Sequence, residues 1–86
     1  MTIRFNTSQM ETTVTIDENK KIEELIKLYF KSINQPYLFG DPSIHFIYNA
    51  ELLKHNSKDL VKSLKRLNGY GLVIVFDDEE KISMIY

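Results

Sequence analysis

The segment DENKKIEELIKLYFKSIN, residues 17–34, constrains everything around it. Ile22, Leu25, Ile26, Tyr29, Phe30 and Ile33 recur at the three- and four-residue spacing that paves one helix face, while Lys20, Glu23, Glu24, Lys27 and Lys31 fall mainly elsewhere. The spacing predicts one amphipathic helix. Asp17 or Asn19 can cap its start by accepting hydrogen bonds from unpaired backbone N–H groups, and Pro36, which has no N–H to give, ends it near Asn34.

The sequence on either side has the two-residue period of strands. TIRFN at residues 2–6 sets Ile3 and Phe5 against Arg4 and Asn6, and TVTI at 13–16 alternates again with β-branched residues, so the two runs predict an N-terminal hairpin. QPYLFGDPS, with both prolines and Gly40, is an irregular connection. A third strand follows over Ile44–Tyr48, with Ile44, Phe46 and Tyr48 on one side and His45 and Ile47 on the other. Asn49-Ala50 turns the chain toward Leu52 and Leu53. Ser57 caps a second, short helix expected over Lys58–Leu67, closed by Asn68-Gly69-Tyr70-Gly71. LVIVF at 72–76 is apolar at every position, as expected of a strand in the middle of a sheet with one face under the helix and the other covered or used. An acidic turn, Asp77–Glu80, leads into the strand-like KISMIY.

Composition narrows the function classes. At 86 residues, 43% of them hydrophobic, the chain reads as one domain with one modest core. With 11 basic and 12 acidic residues the net charge is -1, which lacks the electrostatic footprint of nucleic-acid or anionic-membrane binding. Cysteine is absent, which excludes disulfides, thiol nucleophiles and thiolate metal sites. No apolar run approaches the roughly 20 residues of a spanning helix, and MTIRFNTSQ is polar where a signal peptide is apolar, so the reading is of a cytoplasmic or nuclear protein. The Asn6-Thr7-Ser8 sequon then has no use. His45 and His55, ten residues apart and without a third ligand, read as surface histidines. The acidic run lacks the alternating ligands and glycine of a calcium loop. No catalytic arrangement stands out, and no cofactor or metal is implied.

The order of hairpin, long helix, strand, short helix and central strand resembles ubiquitin and the ubiquitin-like β-grasp domains over Met1 to about Phe76. MTIRFNTSQ is similar to the family's opening strand and loop, and TVTIDENKKIEELI to its second strand and helix start. QPYLFGDPSIHFIYNAELL is similar to its Pro-containing link and L-I-F-A-G-K-x-L corner, and KDLVKSL stands where the family has T-L-x-D-Y-x-I. The resemblance implies an α+β fold in which a mixed sheet of four or five strands packs on one long helix. Residues 1–76 form the β-grasp core, and 77–86 an acidic turn with a C-terminal strand or tail.

In that family the outer sheet face is a docking surface. The resemblance places Ile47 and Val75 at its outward apolar positions and Met10 at the leucine of the first hairpin loop, and Val73 enlarges the patch. His45 and Asp77 stand where the family has arginines on the rim, and Glu51 stands at a chain-linking lysine. Conjugated modifiers end in Gly-Gly, whereas here the region continues into DDEEKISMIY. The expectation is therefore a non-conjugated ubiquitin-like module, not an enzyme, that binds protein partners through Met10, His45, Ile47, Val73 and Val75. Three alternatives stay open. KISMIY folds over the patch as a cover, the patch closes a homo-oligomer, or the chain assembles in the manner of the head-to-tail PB1 domains, through Arg4 and acidic residues.

Overall fold

The alternation at the start of the chain builds a hairpin. Strand β1 (Thr2–Asn6) pairs antiparallel with β2 (Glu11–Thr15), placing Ile3 opposite Val14. The structure, a computed structural model, describes residues 1–64 and 71–82. Thr7 closes the hairpin: its N–H and hydroxyl both donate to the Met10 carbonyl (2.9 and 3.2 Å), and its hydroxyl oxygen accepts the Met10 N–H at 3.0 Å.

The expected helix is α1 (Ile22–Ser32). Its cap is neither Asp17 nor Asn19. Asp17 instead holds the turn before the helix, accepting the Asn19 N–H at 2.8 Å, and Lys21 is the capping residue, with the Glu24 carboxylate accepting the Lys21 N–H at 2.9 Å. At the other end Asn34 adopts φ 62°, and the N–H groups of Asn34 and Gln35 return to the carbonyls of Lys31 and Phe30 (3.0 and 2.9 Å). Both bonds satisfy end carbonyls of the helix before Pro36 opens a 3-10 turn, Pro36–Leu38.

The next strands are β3 (Ile44–Tyr48) and β4 (Glu51–Leu53), joined by the two-residue turn Asn49-Ala50 with φ 52° and 67°. Positive φ at both positions matches the right-handed twist of a hairpin, so what reads in sequence as a corner is a tight turn onto a further strand. Strand β5 (Gly71–Asp77) completes a sheet of order β2-β1-β5-β3-β4, parallel to β1 and antiparallel to β3. The all-apolar run is the central strand, as its composition predicts.

Helix α1 covers one face of this sheet. Phe46 is the hub, with its ring edge-on to Phe5, Tyr29 and Phe30 at centroid distances of 5.9, 5.7 and 5.6 Å, while Phe5 stacks on Tyr29 at 4.4 Å. Burying side chains of this size supplies most of the stabilisation of a small core.

The second helix expected over Lys58–Leu67 is, within the described residues, only a 3-10 turn at Val61–Ser63. The reason lies in the backbone bonds. The carbonyls of Ser57 and Asp59 accept the first N–H groups of α1, from Glu23 and Ile22 (3.1 and 2.8 Å), while the N–H groups of Val61 and Lys62 donate to Lys20 and Glu18 (2.7 and 2.9 Å). Groups that an α-helix would use internally are committed to the start of α1. The rest of that expected helix, its closing turn up to residue 70, and KISMIY from Ser83 on lie outside the described residues, while Gly71 of that turn opens β5.

Candidate functional site

Among the described residues the exposed large apolar side chains, Tyr37 of the 3-10 turn apart, lie on the outer face of the sheet, opposite α1. On β5, Val73 and Val75 are 0% and 5% exposed and belong to the core, whereas Leu72, Ile74 and Phe76 are 36%, 37% and 50% exposed. The assignment of Val73 and Val75 to the outer face is therefore corrected by one residue. Pairing forces it: Phe5 sits opposite Val73 and Phe46 opposite Val75, and side chains directly opposite each other on neighbouring strands share a face. With both phenylalanines buried, both valines follow.

Ile47 points outward as expected, opposite Ile74 on one side and Leu52 on the other. Asn6 lies opposite Ile74 in turn, and Glu11 opposite Asn6. One cross-strand row, Glu11–Asn6–Ile74–Ile47–Leu52, thus runs the width of the sheet, apolar over three strands about 4.8 Å apart. Leu72 and Phe76 extend it along β5. Leu52 is 60% exposed. An apolar patch continuous over three strands is the kind of surface that soluble proteins reserve for contacts.

The other expected residues divide. Met10 is half-buried and packs against the core, so it does not join the outer row. His45 does lie outward, opposite Phe76, with its Nε2 2.9 Å from the Asp78 carboxylate. Asp77 turns away from the face: its carboxylate accepts the N–H groups of Lys81 and Ile82 (2.9 and 2.6 Å) and folds the chain back. Ile82 is consequently buried in the core and the Lys81 carbonyl accepts from the Gln35 side chain at 3.2 Å, so the described part of the tail packs on the helix side of the sheet. Leu52, Leu72, Ile74 and Phe76 were not singled out by sequence. The sequence carries no signal that separates the two faces of β5, because it is apolar at every position from Leu72 to Phe76 and then has Asp at both 77 and 78.

Asp41 braces this end of the sheet. It accepts the hydroxyl and N–H of Ser43 (2.7 and 2.9 Å) and the Lys81 ammonium at 2.9 Å, and these bonds, Ser43 first, lower its pKa to about 2. Lys81 is held above its ordinary value by Asp41 and then Glu79. Across the molecule Glu23 is lowered, chiefly by its hydrogen bond to Lys58. Among the described residues no three His, Asp or Glu side chains converge as metal ligands, and no helix is long and apolar enough to cross a membrane.

Three solved structures are compared with this architecture. The ubiquitin-like domain of an Arabidopsis thaliana protein superposes with a TM-score of 0.68 at 13% identity, covering 91% of this chain and 77% of that one. The UBL domain of yeast Ddi1 gives 0.66 at 18% identity, covering 99% and 93%. The chain has the ubiquitin-like β-grasp fold. ATBAG1, solved in complex with HSP70, matches at 0.63 and 13% identity over 93% of this chain and 41% of that one. No protein-family model matches the sequence, and no curated protein does.

His55 also reads differently from sequence than from structure. His55 is half-buried, not a surface residue, with its ring 5.1, 5.8 and 5.8 Å from those of Phe46, Phe30 and Phe39. Its Nδ1 accepts the Gly40 N–H at 2.7 Å, so that nitrogen carries no proton, and the protonated Nε2 donates to the Ile44 carbonyl at 2.8 Å. The ring ties the loop after α1 to the first residue of β3.

Proposed function

We propose that this chain is a non-conjugated ubiquitin-like binding module, not an enzyme, that takes protein partners on its outer sheet face through Ile47, Leu52, Leu72, Ile74 and Phe76. The observation that carries the reading is the apolar row Ile74–Ile47–Leu52 on the face opposite the helix. Covering what is still exposed of each such side chain contributes a share of the roughly 1.5–3 kcal/mol of full burial, which favours a partner over water. The end of β5 and the residues after it read Asp77-Asp78-Glu79-Glu80 where a conjugated modifier has its slim glycine tail. That a protein of this fold, ATBAG1, was solved with a protein partner is consistent with the module reading.

The assembly alternative that uses Arg4 is less favoured. Arg4 pairs with Glu11 of the neighbouring strand at 3.1 Å, so a partner's acidic group would have to displace that carboxylate. The test of the docking reading is direct. A photo-reactive residue at position 74 recovers the partner, and titration of that partner then compares the native chain with Ile47→Ala and Ile74→Ser. Truncating a central apolar contact weakens binding on the order of tenfold or more. Undiminished binding by folded variants removes the outer face as the site.

A further inference from the structure

The chemistry around the apolar row specifies its occupant. We infer that the outer face takes a protein segment carrying lysine or arginine beside its apolar side chains, an inference that rests on the docking reading above.

Outward positions on β5 follow the two-residue period Leu72, Ile74, Phe76 and then Asp78, whose N–H still donates to the Ser43 carbonyl at 3.0 Å and so prolongs the ladder past the end of the strand. The apolar row thus runs directly into carboxylates. Asp41, Asp77, Asp78, Glu79 and Glu80 gather at this end against Lys81 and His45. Lys81 is committed to Asp41 and Glu79, at 2.9 and 3.1 Å. Asp77 is committed to the turn, and Asp78, with 63% of its side chain exposed, has the His45 ring as its side-chain partner among the described residues. Phe76 and Asp78 stand one outward position apart, about 6.7 Å along the strand, and Glu80 lines the same cleft as both. A cation seated there meets the face of an aromatic ring and a carboxylate together. The partner's apolar side chains then fall on Ile74 and Ile47. The same carboxylates repel phosphate groups of nucleic acids and anionic lipids, and they steer a basic partner at a rate that salt lowers.

The test pans a randomised peptide library displayed on phage against the full chain and maps selected peptides by amide chemical shifts. Enriched peptides are expected to combine apolar residues with Lys or Arg and to perturb residues 47, 74, 76 and 78. They are expected to bind more weakly as salt rises, and to lose up to about fivefold in affinity with Asp78→Asn or Glu80→Gln. Peptides that map to the face with neutral or acidic composition, and that ignore Asp78→Asn, overturn the basic partner and leave the docking reading standing. Peptides that never reach the face, or that ignore Ile74→Ser, remove both. A concentration-dependent dimer mapping to the same face makes a second copy the occupant. Peptides that bind only after deletion of residues 83–86 make the chain's own end the occupant. Either result overturns the inference.

Discussion

Two halves of one strand behave as different materials. Alternate residues of β5, from Leu72 to Phe76, are chemically alike, yet Val73 and Val75 are closed into the core while Leu72, Ile74 and Phe76 stay in contact with water. Nothing in the side chains distinguishes them. What does is the company imposed by pairing, since Val73 and Val75 sit beside Phe5 and Phe46 under α1, and Ile74 sits beside Asn6 and Ile47 on the open side. Apolar character therefore says that a residue can be buried, and register says whether it is.

The comparison breaks most sharply with a charge. Val73→Asp places an unpaired carboxylate in a fully buried site and is expected to abolish the cooperative fold, a loss of more than about 4 kcal/mol, whereas Ile74→Asp one residue on should change stability by less than about 1 kcal/mol. Urea denaturation followed by circular dichroism separates the two, and the opposite ranking would reverse the assignment of faces. The same contrast holds on β3. Phe46→Ala empties the centre of the aromatic cluster and should cost about 3–5 kcal/mol, while Ile47→Ala on the open side should cost about 1 kcal/mol or less.

Smaller effects sharpen how the two faces are held in place. Ala50 has φ 67° in the turn that sets Leu52 beside Ile47, so Ala50→Gly should stabilise the chain by about 0.5–1 kcal/mol, seen as a higher urea midpoint. Asp41 contributes to the pH dependence at this end of the sheet. Its folded pKa, lowered to about 2 by Ser43 and Lys81, lies below the ordinary carboxylate value, so its stabilising contribution is complete above that value and is lost as the pH falls through it toward 2. Thermal melts of Asp41→Asn should be flatter than those of the native chain across that acidic window. Equal slopes would detach Asp41 from the stability of this end of the sheet.

Much of the fold is legible in the residues because their periods are unambiguous. The stripe from Ile22 to Ile33 admits only a helix, the alternation in Thr2–Asn6 and Ile44–Tyr48 fixes both strand and face, and five apolar residues in a row belong in the middle of a sheet. The site is less legible for the same reason. Where every position is apolar the two-residue period has no phase, and the resemblance to ubiquitin supplied the wrong one for Val73 and Val75. His55 and the segment 58–63 were misread on other grounds, because their hydrogen bonds reach Gly40, Ile44 and the loop before α1, partners that no local pattern announces.

The sequence by itself thus determined the elements, their order and the existence of a sheet with one apolar face to cover and another to use. The tertiary structure alone decided which side chains of β5 belong to which face, that β4 joins the row through the Asn49-Ala50 turn, and that Asp78 rather than Asp77 borders it. The physical reason is common to all three. Periodicity is a property of neighbours along the chain, whereas face, register and charge environment are set by the strand alongside, and that strand is distant in sequence.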